Sequence, residues 1–121
     1  MKPPTRSVVE EFEHRLRQAR REVWRTVVRT EEELATLESH QAGALTEDAG
    51  TVSVTDVLSR LDGAERHQLD EIDAAQARLA AGTFGVCEGC ATPIPLARLR
   101  AVPTARRCVA CERAAEREAP A

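Results

Sequence analysis

Aromatic side chains are nearly absent from this chain. Among its 121 residues only Phe12, Trp24 and Phe84 are aromatic, and there is no tyrosine. Large rings supply much of the buried area in a thick globular core, so no thick core is expected. Alanine, leucine, arginine and glutamate dominate instead, the composition of long helices packed along a narrow seam. No apolar run approaches bilayer-spanning length, and no secretory hydrophobic segment follows Met1. The chain is therefore expected to stay in the cytoplasm, where thiols are reduced. An excess of positive charge is lacking too. At a net charge of −3 the chain as a whole is not an electrostatic binder of nucleic acid. The charge is unevenly spread: residues 1–42 are balanced, residues 43–82 carry −5, and residues 83–121 carry +2. The acidic middle and the basic end are expected to face different partners, or different parts of one partner.

Proline and glycine are missing from residues 5–42, so nothing there forbids a helix. Ser7 and Glu10 have capping-box spacing, and Val9, Phe12, Leu16, Ala19, Val23, Val27, Thr30, Leu34 and Leu37 follow in steps of three or four. This stripe predicts one helix over residues 7–41, roughly 50 Å long. Its other faces carry mixed arginine and glutamate, a solvated surface. Trp24 lies beside the stripe and reads as a packing residue. Gly43 and Gly50 bracket a polar connection. Ser53 and Asp56 repeat the capping-box spacing, and a second helix is predicted over residues 54–81. Val54, Leu58, Leu61, Leu69, Ile72, Gln76 and Leu79 lie on one face, with Gly82 as the C-terminal stop. Two such helices form an antiparallel hairpin, with Leu16, Val23, Leu34, Leu58, Leu61 and Ile72 facing inward. Glu47, Asp48 and Ala49 fall at its tip, near residues 43–53.

All four cysteines lie in one late stretch: Cys87, Cys90, Cys108 and Cys111, spaced C-x2-C-x17-C-x2-C. Each close pair can wrap two sulfurs around one side of a tetrahedral ion, so the spacing predicts one structural Zn(2+) bound by four thiolates. Redox C-x-x-C pairs would need a βαβ setting that is absent, and disulfides would need an oxidising compartment. Phe84 is expected to cover the metal site, and Ile94, Leu96 and Leu99 to form a small core. Arg98, Arg100, Arg106 and Arg107 lie between the two pairs with no acid among them, as candidate contacts for phosphate or for a protein partner. Residues 108–119 read as a short final helix. His14, His40 and His67 are scattered and unneeded as ligands. The fold class is thus mainly α: a long antiparallel coiled-coil hairpin (residues 1–82), then a small four-cysteine zinc finger and a short C-terminal helix (residues 83–121).

The run Gly82-Thr83-Phe84-Gly85-Val86-Cys87-Glu88-Gly89-Cys90, followed by Ile94, Arg98-Leu99, Ala101, Pro103-Thr104-Ala105, Cys108 and Cys111, resembles the DksA/TraR family of bacterial zinc-finger regulators. The likeness is strong over residues 82–111 and weaker along the hairpin. Ala91 departs from it, standing where the family usually has glycine. The resemblance implies a non-enzymatic regulator that docks on RNA polymerase and inserts its coiled-coil tip into the secondary channel, near the catalytic magnesium. It implies no direct sequence-specific DNA binding. The family's tip pattern D-x-x-D-x-A falls on Ala44 to Ala49, with Glu47 as the second acid, Asp48 beside it, and Ala44 in place of the first. Family members that share guanosine tetraphosphate with the polymerase use basic residues where this chain has Glu71, Val102 and Glu112, so synergy with that nucleotide is not expected. A monomer is expected. Two other classes compete. A DNA-binding zinc module would use the finger arginines on phosphates, and a thiol or zinc-stress sensor would need labile, low-pKa cysteines.

Overall fold

The computed structural model describes residues 5–40 and 53–118. Among the described residues six helices follow in order: α1 (Arg6–Arg25), α2 (Glu31–His40), α3 (Val54–Leu58), α4 (Gly63–Ala81), α5 (Leu96–Ala101) and α6 (Val109–Glu118). The mainly helical hairpin-and-finger architecture is the one expected. Among the described residues the extended pairing is confined to one isolated bridge, Val86 with Pro93. The expected tip, including Ala44, Glu47, Asp48 and Ala49, lies outside the described residues.

The continuity of the two long helices is corrected. The helix expected over residues 7–41 stops at Arg25 and restarts at Glu31, and the one expected over residues 54–81 is interrupted between Leu58 and Gly63. Thr26, Val27 and Val28 are β-branched and poor helix formers. There the backbone tightens, with Thr26 N–H donating to the Val23 carbonyl and Val27 N–H to that of Trp24. The restart is capped: Thr30 Oγ1 accepts the Glu33 N–H at 3.1 Å, while the Glu33 carboxylate reaches back to the Arg29 N–H at 2.6 Å. At the second break Asp62 and Glu65 cap each other reciprocally, at 2.7 and 3.0 Å. The first cap moves as well. Thr5, not Ser7, opens α1, its hydroxyl accepting the Val8 N–H at 3.3 Å. Ser53 caps α3 as expected, accepting the Asp56 N–H at 3.3 Å.

The chain divides into two compact units, one joining Met1–Leu16 to Glu71–Ala121, the other spanning Arg17–Asp70. In the second unit the pairing is antiparallel: the Thr26 hydroxyl donates to the Glu65 carboxylate, and Arg60 forks onto Glu33 at 2.9 and 3.1 Å. The Arg60 guanidinium, helped by the Arg29 N–H, holds the Glu33 carboxyl down to about 2. Val23, Trp24, Val27, Leu34, Leu37, Val57 and Leu61 are the buried apolar residues here. Val57 takes the inward place expected for Leu58, which is half-buried. The break at residues 59–62 resets the helical phase, so the stripe cannot be read through it. Leu16, Val23, Leu34, Leu61 and Ile72 are buried as expected.

In the first unit, Phe12 and Phe84 pack with ring centroids 5.0 Å apart. Phe84 is thus seated against α1, where the sequence had suggested a cover for the metal. Ile72 and Ala75 of α4 and Ile94, Leu99 and Ala105 of the finger are buried too, whereas Leu96 is 41% exposed and leaves the expected small core. Gly82, at φ +78°, ends α4 in a double hydrogen-bonded turn: Thr83 N–H to the Arg78 carbonyl at 2.9 Å and Gly82 N–H to that of Leu79 at 3.3 Å.

Candidate metal centre

The finger begins where α4 ends. The chain turns at Gly85 (φ +84°) and returns through hydrogen bonds from Ile94 N–H to the Gly85 carbonyl and from Cys87 N–H to that of Thr92, at 2.8 and 2.9 Å. The knuckle closes through Ala91 N–H on the Cys87 carbonyl at 2.9 Å, which puts Ala91 in the left-handed region at φ +62°. This is the position where the resemblance led us to expect glycine, and the backbone shows why glycine suits it. Gly89 is needed for a different reason. A Cβ there would come within 2.9 Å of Cys111 Sγ, so only a bare backbone lets the second cysteine pair approach. The second pair is tied to the first by Glu88 N–H on the Arg106 carbonyl at 2.8 Å, and Cys111 is carried on the first turn of α6.

All four sulfurs lie within 4.8 Å of one another. A tetrahedral zinc with Zn–S bonds of about 2.3 Å has sulfur–sulfur edges of about 3.8 Å. The Cys87–Cys108 and Cys90–Cys108 separations are 3.8 and 3.9 Å, so the set fits that ion. Cys87 is buried and accepts N–H bonds from Gly89 and Cys108, both at 3.3 Å. These bonds, that of Cys108 foremost, bring its thiol down to about 6. Cys111 is pushed up to about 12 by its hydrogen bonds with the other cysteines, Cys108 first. Four thiolates this close repel, and a divalent cation at their centre removes the conflict. Neither His14 nor His67 joins the group, the sole such cluster among the described residues.

The four finger arginines are engaged within the chain. Arg98 donates to the Arg107 carbonyl at 2.9 Å and Arg100 forks onto Glu11 at 3.0 and 3.2 Å. Arg106 forks onto Glu71 at 2.9 and 3.0 Å and reaches Glu88 at 3.3 Å, and Arg107 meets Glu112 at 3.2 Å. Glu71 and Glu112 are two of the three residues standing where the resemblance leads to basic positions. Sequence reasoning missed the Arg100–Glu11 and Arg106–Glu71 pairs because their partners lie 89 and 35 residues apart.

Residues 82–117 match the model of the prokaryotic dksA/traR C4-type zinc finger. The solved structure of transcription factor DksA2 from Pseudomonas aeruginosa is similar over 93% of this chain and 87% of its own, at 30% identity and a TM-score of 0.60. The chain belongs to the DksA/TraR family. The RNA polymerase binding protein and transcriptional regulator Dks from Chlamydia trachomatis shares the fold, at a TM-score of 0.57 and 23% identity over 95% of this chain and 94% of its own. An uncharacterized protein of Aquifex aeolicus is 41% identical over 73 residues, which are 60% of this chain and 50% of that protein. The chain spans about half the length, or less, of most of the curated relatives it matches. No helix among the described residues is long and apolar enough to cross a membrane.

Proposed function

We propose that this protein is a non-enzymatic cytoplasmic regulator that binds RNA polymerase as a monomer, enters the secondary channel with its coiled-coil tip, and modulates initiation. One structural zinc ion, held by Cys87, Cys90, Cys108 and Cys111, keeps the finger in shape. The observation that carries this reading is the four-thiolate knuckle seated on the base of a helical hairpin, through Phe84 on Phe12 and Arg100 on Glu11. The engagement of Arg98, Arg100, Arg106 and Arg107 with partners in the chain argues against the DNA-binding alternative, which would need them for phosphates. Any of the four that contacts polymerase does so from an existing ion pair or hydrogen bond. Guanosine tetraphosphate finds no added help here, because Glu71 and Glu112 face Arg106 and Arg107 and cancel their charge.

The tip residues Glu47, Asp48 and Ala49 are proposed to face the polymerase active site, where carboxylates perturb a magnesium-centred field. The test is capture of core RNA polymerase together with open-complex lifetime. The wild type should bind and change the lifetime; Glu47→Ala with Asp48→Ala should bind equally and lose most of the change. A wild type that fails to bind core polymerase overturns the proposal. Binding with an undiminished effect in the double variant removes the tip from the mechanism.

A further inference from the structure

The bend after α1 has no breaker. Residues 5–42 contain neither proline nor glycine, yet the chain turns sharply between Arg25 and Glu31. Arg21 and Glu38 are seventeen residues apart, about 25 Å along a straight helix, and their side chains approach to 3.6 Å. What holds the bend is a set of side-chain clasps. Arg60 forks onto Glu33 and also donates to the Val27 carbonyl at 2.9 Å, a group that a continuous helix would have occupied. Thr26 ties the end of α1 to Glu65. The second break, at residues 59–62, supplies Arg60 itself and lies opposite the first.

The sequence carries signals for two states of this segment. Thr30–Glu33 and Asp62–Glu65 are capping boxes that spell two breaks. The apolar stripe runs on through the first break without losing phase, as Val23, Val27, Thr30, Leu34 and Leu37, and so spells one continuous helix. We infer that residues 26–30 and 59–62 form a joint, and that the arm interconverts between the bent state clasped by Arg60, Glu33, Arg21 and Glu38 and a straight state in which α1 and α2 are one helix. In the bent state Trp24, the chain's sole tryptophan, is 7% exposed under the Arg20 guanidinium, 5.8 Å from the ring centroid. Trp24 stands two residues before the joint, so straightening changes its surroundings. The inference concerns the free protein; its use, and that alone, rests on the function proposed above. The straight form supplies the roughly 50 Å reach that a deep channel demands, and α2 and α3 flank the tip in sequence.

The experiment places spin labels on exposed positions Arg17 and Ser39 as unnatural amino acids, leaving the cysteines to zinc, and measures their separation by pulsed EPR. A straight helix puts the labelled backbones roughly 33 Å apart. The wild type should show a shorter distance. Glu33→Gln and Arg60→Leu, each in the zinc-loaded full chain, should add a population at the long distance and change Trp24 emission, with helicity kept or raised. The joint is overturned if both variants keep only the short distance, because the bend is then fixed by apolar packing. It is equally overturned if the wild type shows only the long one. Adding unlabelled core polymerase to the labelled wild type should convert the short distance to the long. Failure to bind polymerase at all would sink the proposed function and leave the free-protein result standing.

Discussion

Removing the Phe84 ring should uncouple the finger from α1 without emptying the zinc site. Phe84 is 3% exposed and Phe12 fully buried, with centroids 5.0 Å apart and planes tilted by 44°. Phe→Ala at such a site costs about 3–5 kcal/mol, from lost transfer energy and the cavity left behind. Of this, about 0.5–1.5 kcal/mol belongs to the ring pair itself. Small domains have a total stability of about 5–15 kcal/mol, so the loss is a large share of the whole. None of it should come from the metal, because Phe84 is not a ligand and the Cys87 sulfur is held by the Gly89 and Cys108 N–H groups. The assay is urea unfolding of zinc-loaded wild type, Phe12→Ala, Phe84→Ala and the double variant, with bound zinc measured throughout. Both single variants should lose about 3–5 kcal/mol and keep their zinc. The double variant should lose less than the sum by at least about 0.5 kcal/mol, because the two rings share one contact. Additivity within about 0.3 kcal/mol would refute the pairing. Loss of zinc from Phe84→Ala alone would show that the ring supports the thiolates instead.

Two further outcomes follow from the finger. Cys108→Ser removes a sulfur that lies 3.8 and 3.9 Å from two others; it should abolish tight zinc binding and unfold residues 83–115, while circular dichroism retains much of the hairpin helicity. Ala91→Gly should stabilise the zinc-loaded finger by up to about 1 kcal/mol in denaturant unfolding. It relieves about 1–2 kcal/mol of left-handed strain against a gain in unfolded-state entropy that costs about 0.4–1 kcal/mol; a destabilised variant would mean that φ +62° carries no strain.

The finger was legible in the sequence because chemistry fixes it. Few arrangements let four sulfurs meet one ion, and those arrangements demand both the C-x2-C pairs and small residues beside them. Gly89 illustrates the link, since a Cβ there meets Cys111 Sγ at 2.9 Å. The hairpin was legible in its residue types and in its end signals at Ser53 and Gly82, which are local and cost little to read. Its continuity was not. A run of three β-branched residues at 26–28 costs only a few tenths of a kcal/mol each relative to better helix formers, and tertiary contacts outweigh such a sum. The decisive partner, Arg60, lies twenty-seven residues from Glu33. No window of periodicity reaches that far.

The signals that did mark the breaks were of the same kind as those that located the helix starts. Thr30–Glu33 and Asp62–Glu65 have the spacing of Ser53–Asp56, and over the first of them an apolar stripe runs on unbroken. That competition is itself informative. Where a capping box and an unbroken stripe disagree over the same residues, the local signals conflict and tertiary contacts decide between the conformations. In this chain Arg60 carries part of the difference, giving up a fork on Glu33 and a bond to the Val27 carbonyl when the helix closes. The closing helix recovers the Val27 carbonyl through its own ladder, so one bond is exchanged for another. What remains uncompensated is the Arg60–Glu33 fork, the Arg21–Glu38 pair and the Thr26 bond to Glu65. A partner surface that offers these charged groups new ions supplies part of what straightening removes.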